Sequence, residues 1–289
     1  MRTQKGAVVG FREGRAHTIV DLAQCEVLHP ELVSLIPSLR SLIAEHGGRG
    51  GMDIGMALSD QGVDLSLTNM PVEGLAATEA LLDFTRDHRL ARLSVDHGFG
   101  PEPVWEPEPV TVSLSGIAVP MPVGAFLQAT VDAEARMVED ATDWLSGAGK
   151  MVDLFSGLGT FTLGLREGRK TLGAEADHAA HLAAKSAAAR TGGQVFAMHR
   201  DLFRNPLQPA ELNNFEAALL DPPRAGAKAQ TAQIAESALA HVVYVSCNPL
   251  SWSRDAATLA KAGFRLAKLR PVGQFRWSTH VELVSLFVR

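Results

Sequence analysis

Short apolar runs alternate with Ala-rich stretches of helical spacing from about Lys150 to the C-terminus. Met151–Phe155, Thr171–Glu175, Gln194–His199, Ala217–Asp221 and Val242–Ser246 have the length and apolar content of buried strands. The stretches between them predict helices beginning at Thr160, over Asp177–Arg190, near Ala229–Leu239 and around Ser251–Ala262. Strands joined through helices lie parallel with both sheet faces covered, because a parallel partner is reached only by a long crossover. Phe264–Leu269 and Val281–Val288 have no helix between them and are expected to pair antiparallel at one edge. The pattern predicts an α/β fold, a seven-stranded doubly wound (Rossmann-like) sheet.

The first half is less regular. Gly6–Val9, His17–Leu22, Met56–Leu58, Val63–Thr68 and Ala91–Val95 read as strands. Glu31–Glu45 reads as one helix, with Leu32, Leu35, Ile36, Leu39, Leu42 and Ile43 at helical spacing, and Leu75–Arg86 as a second. Gly98–Pro109 carries four prolines and is expected to wander over the surface or to link units. Val131–Leu145 predicts a helix with Met137, Val138, Ala141, Trp144 and Leu145 on one face, leading into the first strand of the sheet.

Composition narrows the class. With 46% hydrophobic and 20% charged residues over 289 positions, the chain is neither disordered, collagen-like nor a coiled coil. No apolar run approaches the ~18–20 residues that span a bilayer, and residues 1–20 lack a secretory h-region. Two cysteines, Cys25 and Cys247, suggest no disulfide framework, so a reducing, cytoplasmic setting and no membrane partner are expected. The net charge of −5 argues against a general polyanion binder but leaves room for a local basic surface. Residues 261–289 hold Lys261, Arg265, Lys268, Arg270, Arg276 and Arg289 against Glu282 alone, which predicts either such a surface or an ordinary solvated face.

Candidate chemistry gathers at strand ends. Val152–Thr160 runs from an apolar strand through Gly157 and Gly159 into a helix, where backbone N–H groups are free to meet a ligand. A tight turn that binds nothing would use the same residues. Glu175 ends the next strand 18 residues after Gly157, the place of an acidic residue that accepts from ribose hydroxyls. Thr162 stands where a dinucleotide fingerprint needs its third glycine, which favours a nucleoside-type cofactor such as S-adenosylmethionine. Asp201, after the third strand, is placed either to meet an adenine edge or to sit solvated in a loop. The fourth strand ends in Asp221-Pro222-Pro223-Arg224-Ala225-Gly226, a rigid loop at the carboxyl edge of the sheet. The fifth ends in Ser246-Cys247-Asn248-Pro249, which makes Cys247 either a buried small hydrophobe or a nucleophile.

Asp153–Thr160, Asp221–Gly226, Ser246–Pro249 and Thr279–Glu282 occur in the order seen in the RNA (uracil-5-)-methyltransferase family, which this chain resembles. Gly124–Gln128 resembles the Phe-x-Gln element that opens that family's catalytic domain. The resemblance spans about 160 residues. It implies a smaller N-terminal α+β domain over residues 1–123 and an S-adenosylmethionine-dependent methyltransferase domain over residues 124–289. It further implies 5-methyluridine formation in an RNA partner, rRNA or tRNA, by a monomeric cytoplasmic enzyme. By the same resemblance Cys247 adds to C6 of uracil and Glu282 removes the C5 proton. Gln128, Phe155, Glu175 and Asp221, with Asp201, match positions that hold the cofactor.

The sequence also departs from the family. Ser156 stands where relatives often have Cys, and Gly273–Arg276 lacks the Asp and Pro of their Asp-x-Phe-Pro element. The β-barrel and three clustered cysteines with which relatives often begin are not seen. Cys25 resembles the fourth ligand of a four-iron cluster, but a cluster takes four thiolates, so no iron–sulfur cluster is expected in this chain. A front end shortened or lost in this lineage is the expectation. Two other readings stand beside the first. One is a cytosine-C5 or other methyltransferase on the same fold, although Ser246 rather than Pro precedes Cys247. The other is a catalytically inactive RNA-binding relative, against which the intact Cys247 and Glu282 count.

Overall fold

The computed structural model describes residues 2–3, 6–14, 18–48, 50–275 and 278–289, so His17 of the first-half strands and Arg276 of the basic set lie outside it. The chain forms two compact units, residues 1–112 with 121–124, and residues 113–120 with 125–289.

In the first unit, strands Asp53–Ser59, Gly62–Thr68, Arg92–Asp96 and Pro101–Trp105 form a four-stranded sheet in that order. Helices Ile36–His46 and Gly74–Asp87 contribute Leu39, Leu42 and Leu81 to a core with Leu65, Leu67 and Leu93. Two expectations are corrected here. Glu31–Glu45 is two helices, Pro30–Ser34 and Ile36–His46, because Pro37 has no N–H to continue the first and instead sits in the first turn of the second. The proline-rich Gly98–Pro109 contains strand Pro101–Trp105, antiparallel to Arg92–Asp96. That strand is at the sheet edge, where Pro101 and Pro103 leave no interior ladder unpaired.

The second unit is built on seven strands: β1 (Lys150–Leu154), β2 (Lys170–Glu175), β3 (Val195–His199), β4 (Ala217–Leu220), β5 (His241–Ser246), β6 (Arg265–Val272) and β7 (Glu282–Val288). Their order is β3-β2-β1-β4-β5-β7-β6. β1 to β5 are parallel, and β7 inserts antiparallel between β5 and β6. The helices are α1 (Val131–Trp144), α2 (Thr160–Gly164), α3 (His178–Ala188), α4 (Lys228–Glu236) and α5 (Pro249–Lys261), with a further short turn at Pro209–Leu212.

Alternate side chains of the central strands go to opposite faces. Val152, Leu154, Leu220, Val242 and Tyr244 join α4 and α5 residues Ile234 and Leu259 in one core. Met151, Leu219, Val243, Val245 and Val284 join Met137 and Ala141 of α1 in the other. Strand order reverses between β1 and β4, so the loops after these two strands diverge and leave a crevice at the carboxyl edge.

Candidate active site

The glycine loop is held against the end of β2. Pairing of Leu154 with Ala174 brings the turn over that strand, and the N–H groups of Phe155 and Ser156 both donate to the Ala174 carbonyl, at 3.0 and 3.1 Å. Phe155 has φ +66°, a left-handed conformation that costs a bulky residue about 1–2 kcal/mol. Gly157 and Gly159 follow at φ +54° and +96°, values glycine adopts without that penalty. The Glu175 carboxylate closes the loop. Its Oε2 accepts from Gly157 N at 2.8 Å, and its Oε1 from Ala176 N and Asp177 N, both at 2.7 Å. The acidic strand end and the glycine turn are thus one preorganised unit.

Asp201 is occupied differently. Its Oδ1 accepts from Phe203 N at 2.9 Å and Arg204 N at 3.1 Å, so the carboxylate caps its own turn. What that turn delivers to the loop is Phe203, whose ring packs on Phe155 at 5.2 Å between centroids. A half-exposed aromatic in an irregular segment gave no periodic signal in the sequence.

Deeper in the crevice the carboxylates crowd. Asp153 is buried on β1; Thr162 Oγ1 donates to its Oδ2 at 2.5 Å, and its Oδ1 has no hydrogen-bond partner among the described residues. Burial, with Glu175 nearby, pushes Asp153 up to about 7 against the opposing Thr162 bond. Burial, then the charges of Glu282 and Asp153, push Asp221 up to about 8. Asp221 also meets Gln128, whose Nε2 lies 3.4 Å from its Oδ2. Gln128 is fixed by Gln274, which donates to Gln128 Oε1 at 2.9 Å and accepts from Ala129 N at 2.6 Å. Gln274, buried in the run that lacks the Asp-x-Phe-Pro element, thus holds both the Gln128 side chain and the Ala129 backbone.

Cys247 and Glu282 come together through strand register. Ser246 pairs with Leu283 across the antiparallel β5–β7 ladder, so the next step of that register sets Cys247 opposite Glu282. Burial and the neighbouring Glu282 push the Cys247 thiol up; the Arg224 guanidinium opposes them. Burial also raises Glu282.

Arg224 belongs to the loop after β4, which α5 clamps. Asn248 caps α5 by accepting from Leu250 N at 3.1 Å and donates from Nδ2 to Arg224 O at 2.9 Å. Asp255, fully buried two turns further, accepts from Ala227 N and Tyr244 Oη, both at 2.7 Å, and pairs with Arg254 at 2.9 Å. A Cβ on Gly226, at φ +77°, would lie 2.6 Å from both Asp255 Oδ2 and Arg254 Nη2. That packing accounts for the glycine in Asp-Pro-Pro-Arg-Ala-Gly. A buried aspartate on an amphipathic helix is not distinguishable in sequence from a solvated one, so Asp255 was not legible.

Cys25 belongs to the other unit. Its Sγ accepts from Leu28 N at 3.3 Å and lines a cavity of about 420 Å³ with Leu22, Ile36, Pro37 and Arg40. Among the described residues no three His, Cys, Asp or Glu side chains are arranged to hold a metal ion, and no helix is long and apolar enough to cross a membrane.

Residues 111–289 match the family described as tRNA (Uracil-5-)-methyltransferase. The chain belongs to that family. An RNA methyltransferase of Zymomonas mobilis is 45% identical over 286 residues, covering 99% of this chain and 72% of its own length. The 23S rRNA (uracil(1939)-C(5))-methyltransferase RlmD of Enterobacter sp. is 31% identical, over 99% of this chain and 67% of its own. The crystal structure of Pyrococcus abyssi tRNA (uracil-54, C5)-methyltransferase with S-adenosyl-L-homocysteine has a TM-score of 0.76 at 21% identity, covering 99% of this chain and 73% of that one. That likeness establishes the methyltransferase fold. As a member of the uracil-5-methyltransferase family the chain is an S-adenosylmethionine-dependent RNA (uracil-C5) methyltransferase. The crevice fits that cofactor: an unpartnered buried Asp153 oxygen, Asp221 and Glu175 offer carboxylates to a cationic nucleoside, beside two aromatic rings.

Proposed function

We propose that this enzyme methylates C5 of a uridine in RNA through a covalent Cys247–C6 adduct, with Glu282 as the base for the C5 proton. The register that sets these two side chains opposite each other carries the reading. Uracil C5 is a weak nucleophile. Addition of the Cys247 thiolate to C6 moves the C5–C6 π electrons toward C5 and O4, giving an enolate whose C5 is reactive. Arg224 supplies the positive charge that favours the thiolate over the thiol. When bound, the cofactor would supply a sulfonium methyl group, which C5 takes as the S–CH3 bond breaks and S-adenosylhomocysteine leaves as a neutral thioether. Glu282 then takes the C5 proton, the C5–H electrons re-form the C5–C6 double bond, and the C6–S bond breaks to release Cys247 as thiolate. A carboxylate whose proton affinity is raised by burial is the better base for that step.

Glu175 is assigned to the ribose hydroxyls, Phe155 with Phe203 to the adenine, and Asp221 with Gln128 to the cationic end of the cofactor. Asp201 supports the adenine site through Phe203. The resemblance-derived division at residues 123/124 assigns catalysis to the C-terminal domain and RNA positioning to the N-terminal one. The relative of stated substrate that is 31% identical acts on 23S rRNA, which makes ribosomal RNA the first substrate to test and tRNA the second. A cytoplasmic monomer completes the reading.

The test is a denaturing gel with a uridine-containing RNA and methyl-labelled cofactor. Cys247→Ala is expected to form no protein–RNA adduct and no product. Glu282→Gln is expected to methylate once and remain attached, since loss of a general base costs ~10²–10⁴-fold. Turnover by Cys247→Ala would overturn the nucleophile. Unslowed product release by Glu282→Gln would overturn the base.

A further inference from the structure

We propose that the exposed edge formed by β6 and the end of α1 is an RNA-backbone site, which holds the strand flanking the target uridine through Lys268 and Arg270. The proposal rests on the RNA-methylating reading above and concerns a surface outside the reacting groups.

β6 is the last strand of the sheet, and Arg265–Pro271 are exposed along its length. Its register pairs Lys268 with Leu286, Arg270 with Val284 and Val272 with Glu282. Val272, Val284 and Leu286 pack into the core beneath α1, so Lys268 and Arg270 share the sheet face on which Glu282 stands. At a strand rise of ~3.3 Å per residue, Arg270 is about 7 Å and Lys268 about 13 Å from Val272, the partner of Glu282. The two cations thus form a row that leads away from the proposed base.

Both are held in place. Arg270 Nε lies 2.5 Å from Oδ2 of the buried Asp140 on α1, which Arg136 also contacts at 3.0 Å. The Lys268 ammonium stands over the Trp144 ring, 5.4 Å from its centroid. Trp144, Lys268, Leu269, Arg270 and Pro271 line an open groove of about 690 Å³. A positive groove with an aromatic wall suits single-stranded nucleic acid, whose phosphates meet the cations while a base lies against the ring. Lysine and proline on an edge strand also discourage pairing with a foreign strand, but that role requires neither an indole beneath the lysine nor an aspartate fixing the arginine. In a chain of net charge −5, Lys268 and Arg270 give this exposed edge a local positive charge that complements a phosphate backbone.

The experiment uses the full chain and single-stranded oligonucleotides with one uridine and progressively longer flanks. Binding is measured by anisotropy between about 50 and 200 mM salt. Lengthening one flank by a few nucleotides is expected to tighten binding. Lys268→Ala should remove much of that gain and reduce the slope of log K against log salt by about 0.7, the value for one single-strand phosphate contact. Arg270→Gln should act alike, with melting temperature as the check on folding. If Arg270→Gln unfolds because Asp140 loses a partner, the exposed Lys268 decides alone. Unchanged gain and slope in Lys268→Ala would overturn the proposal, as would a parent that binds no RNA or an edge that takes up a peptide strand instead. A parent that binds flanked RNA through Lys268 but makes no 5-methyluridine would leave this surface standing and refute the reaction.

Discussion

Ser246, the last residue of β5, pairs with Leu283 in an antiparallel ladder, and the same register carried one step further sets Cys247 opposite Glu282, the first residue of β7. These two residues are far apart in the chain, and a slip of one residue would turn Glu282 to the other sheet face. Burial of Val284 and Leu286 against α1 holds the register.

The pair predicts a measurable thiol response without RNA. Glu282 and burial raise the Cys247 thiol, and Arg224 lowers it. Alkylation by iodoacetamide followed against pH should show a midpoint above that of an ordinary thiol. Glu282→Gln should move the midpoint down, and Arg224→Gln should move it up. Shifts of the opposite sign would show that these charges do not act on the sulfur.

Cofactor binding should depend on pH through Asp221. Pushed up to about 8, this carboxyl is largely neutral at pH 6 in the free protein. A cationic cofactor favours its charged form, so binding releases a proton and tightens as pH rises toward 8, then levels off. The cofactor's own amino group titrates near pH 8 as well, so the quantity to measure is the ratio of parent to Asp221→Asn affinity. Calorimetry should give a ratio that grows about tenfold or more from pH 6 to 8. A flat ratio would mean that Asp221 is charged throughout. Stability follows the opposite sign: the native state holds the Asp221 proton to about pH 8 while the unfolded state loses it near 4, so between these values this group destabilises the fold as pH rises.

The clamp under the Asp-Pro-Pro-Arg loop should respond in steps. Tyr244→Phe deletes one bond to Asp255 and should cost about 1 kcal/mol in urea unfolding. Asp255→Ala strands Ala227 N, Tyr244 Oη and Arg254 together and should cost about 3–5 kcal/mol. Gly226→Ala, strained by its φ and by the 2.6 Å approaches, should fall between them. Equal effects for all three would show that Asp255 does not organise the loop.

Much of this protein was written in its linear pattern. Apolar runs and helical spacing determined the seven-stranded α/β unit and its antiparallel edge, because a buried parallel sheet needs continuous apolar strands and a covering helix between them. Local motifs marked Gly157, Glu175, Asp221 and Cys247 because each stands at or just beyond the end of a strand at the ligand edge. The proline break at Pro37 and the edge strand Pro101–Trp105 were misread, since proline's effect depends on which N–H groups need a partner. Tertiary structure alone decided the rest. It turned Asp201 inward on its own turn, brought Phe203 to Phe155, set Gln274 behind Gln128 and buried Asp255 beneath the reacting loop. Each of these is a contact between side chains distant in sequence or placed by irregular backbone, for which no local spacing rule exists. Burial, which only the folded chain possesses, raises the proton affinity of Asp153, Asp221 and Glu282, and strand register brings Glu282 to Cys247.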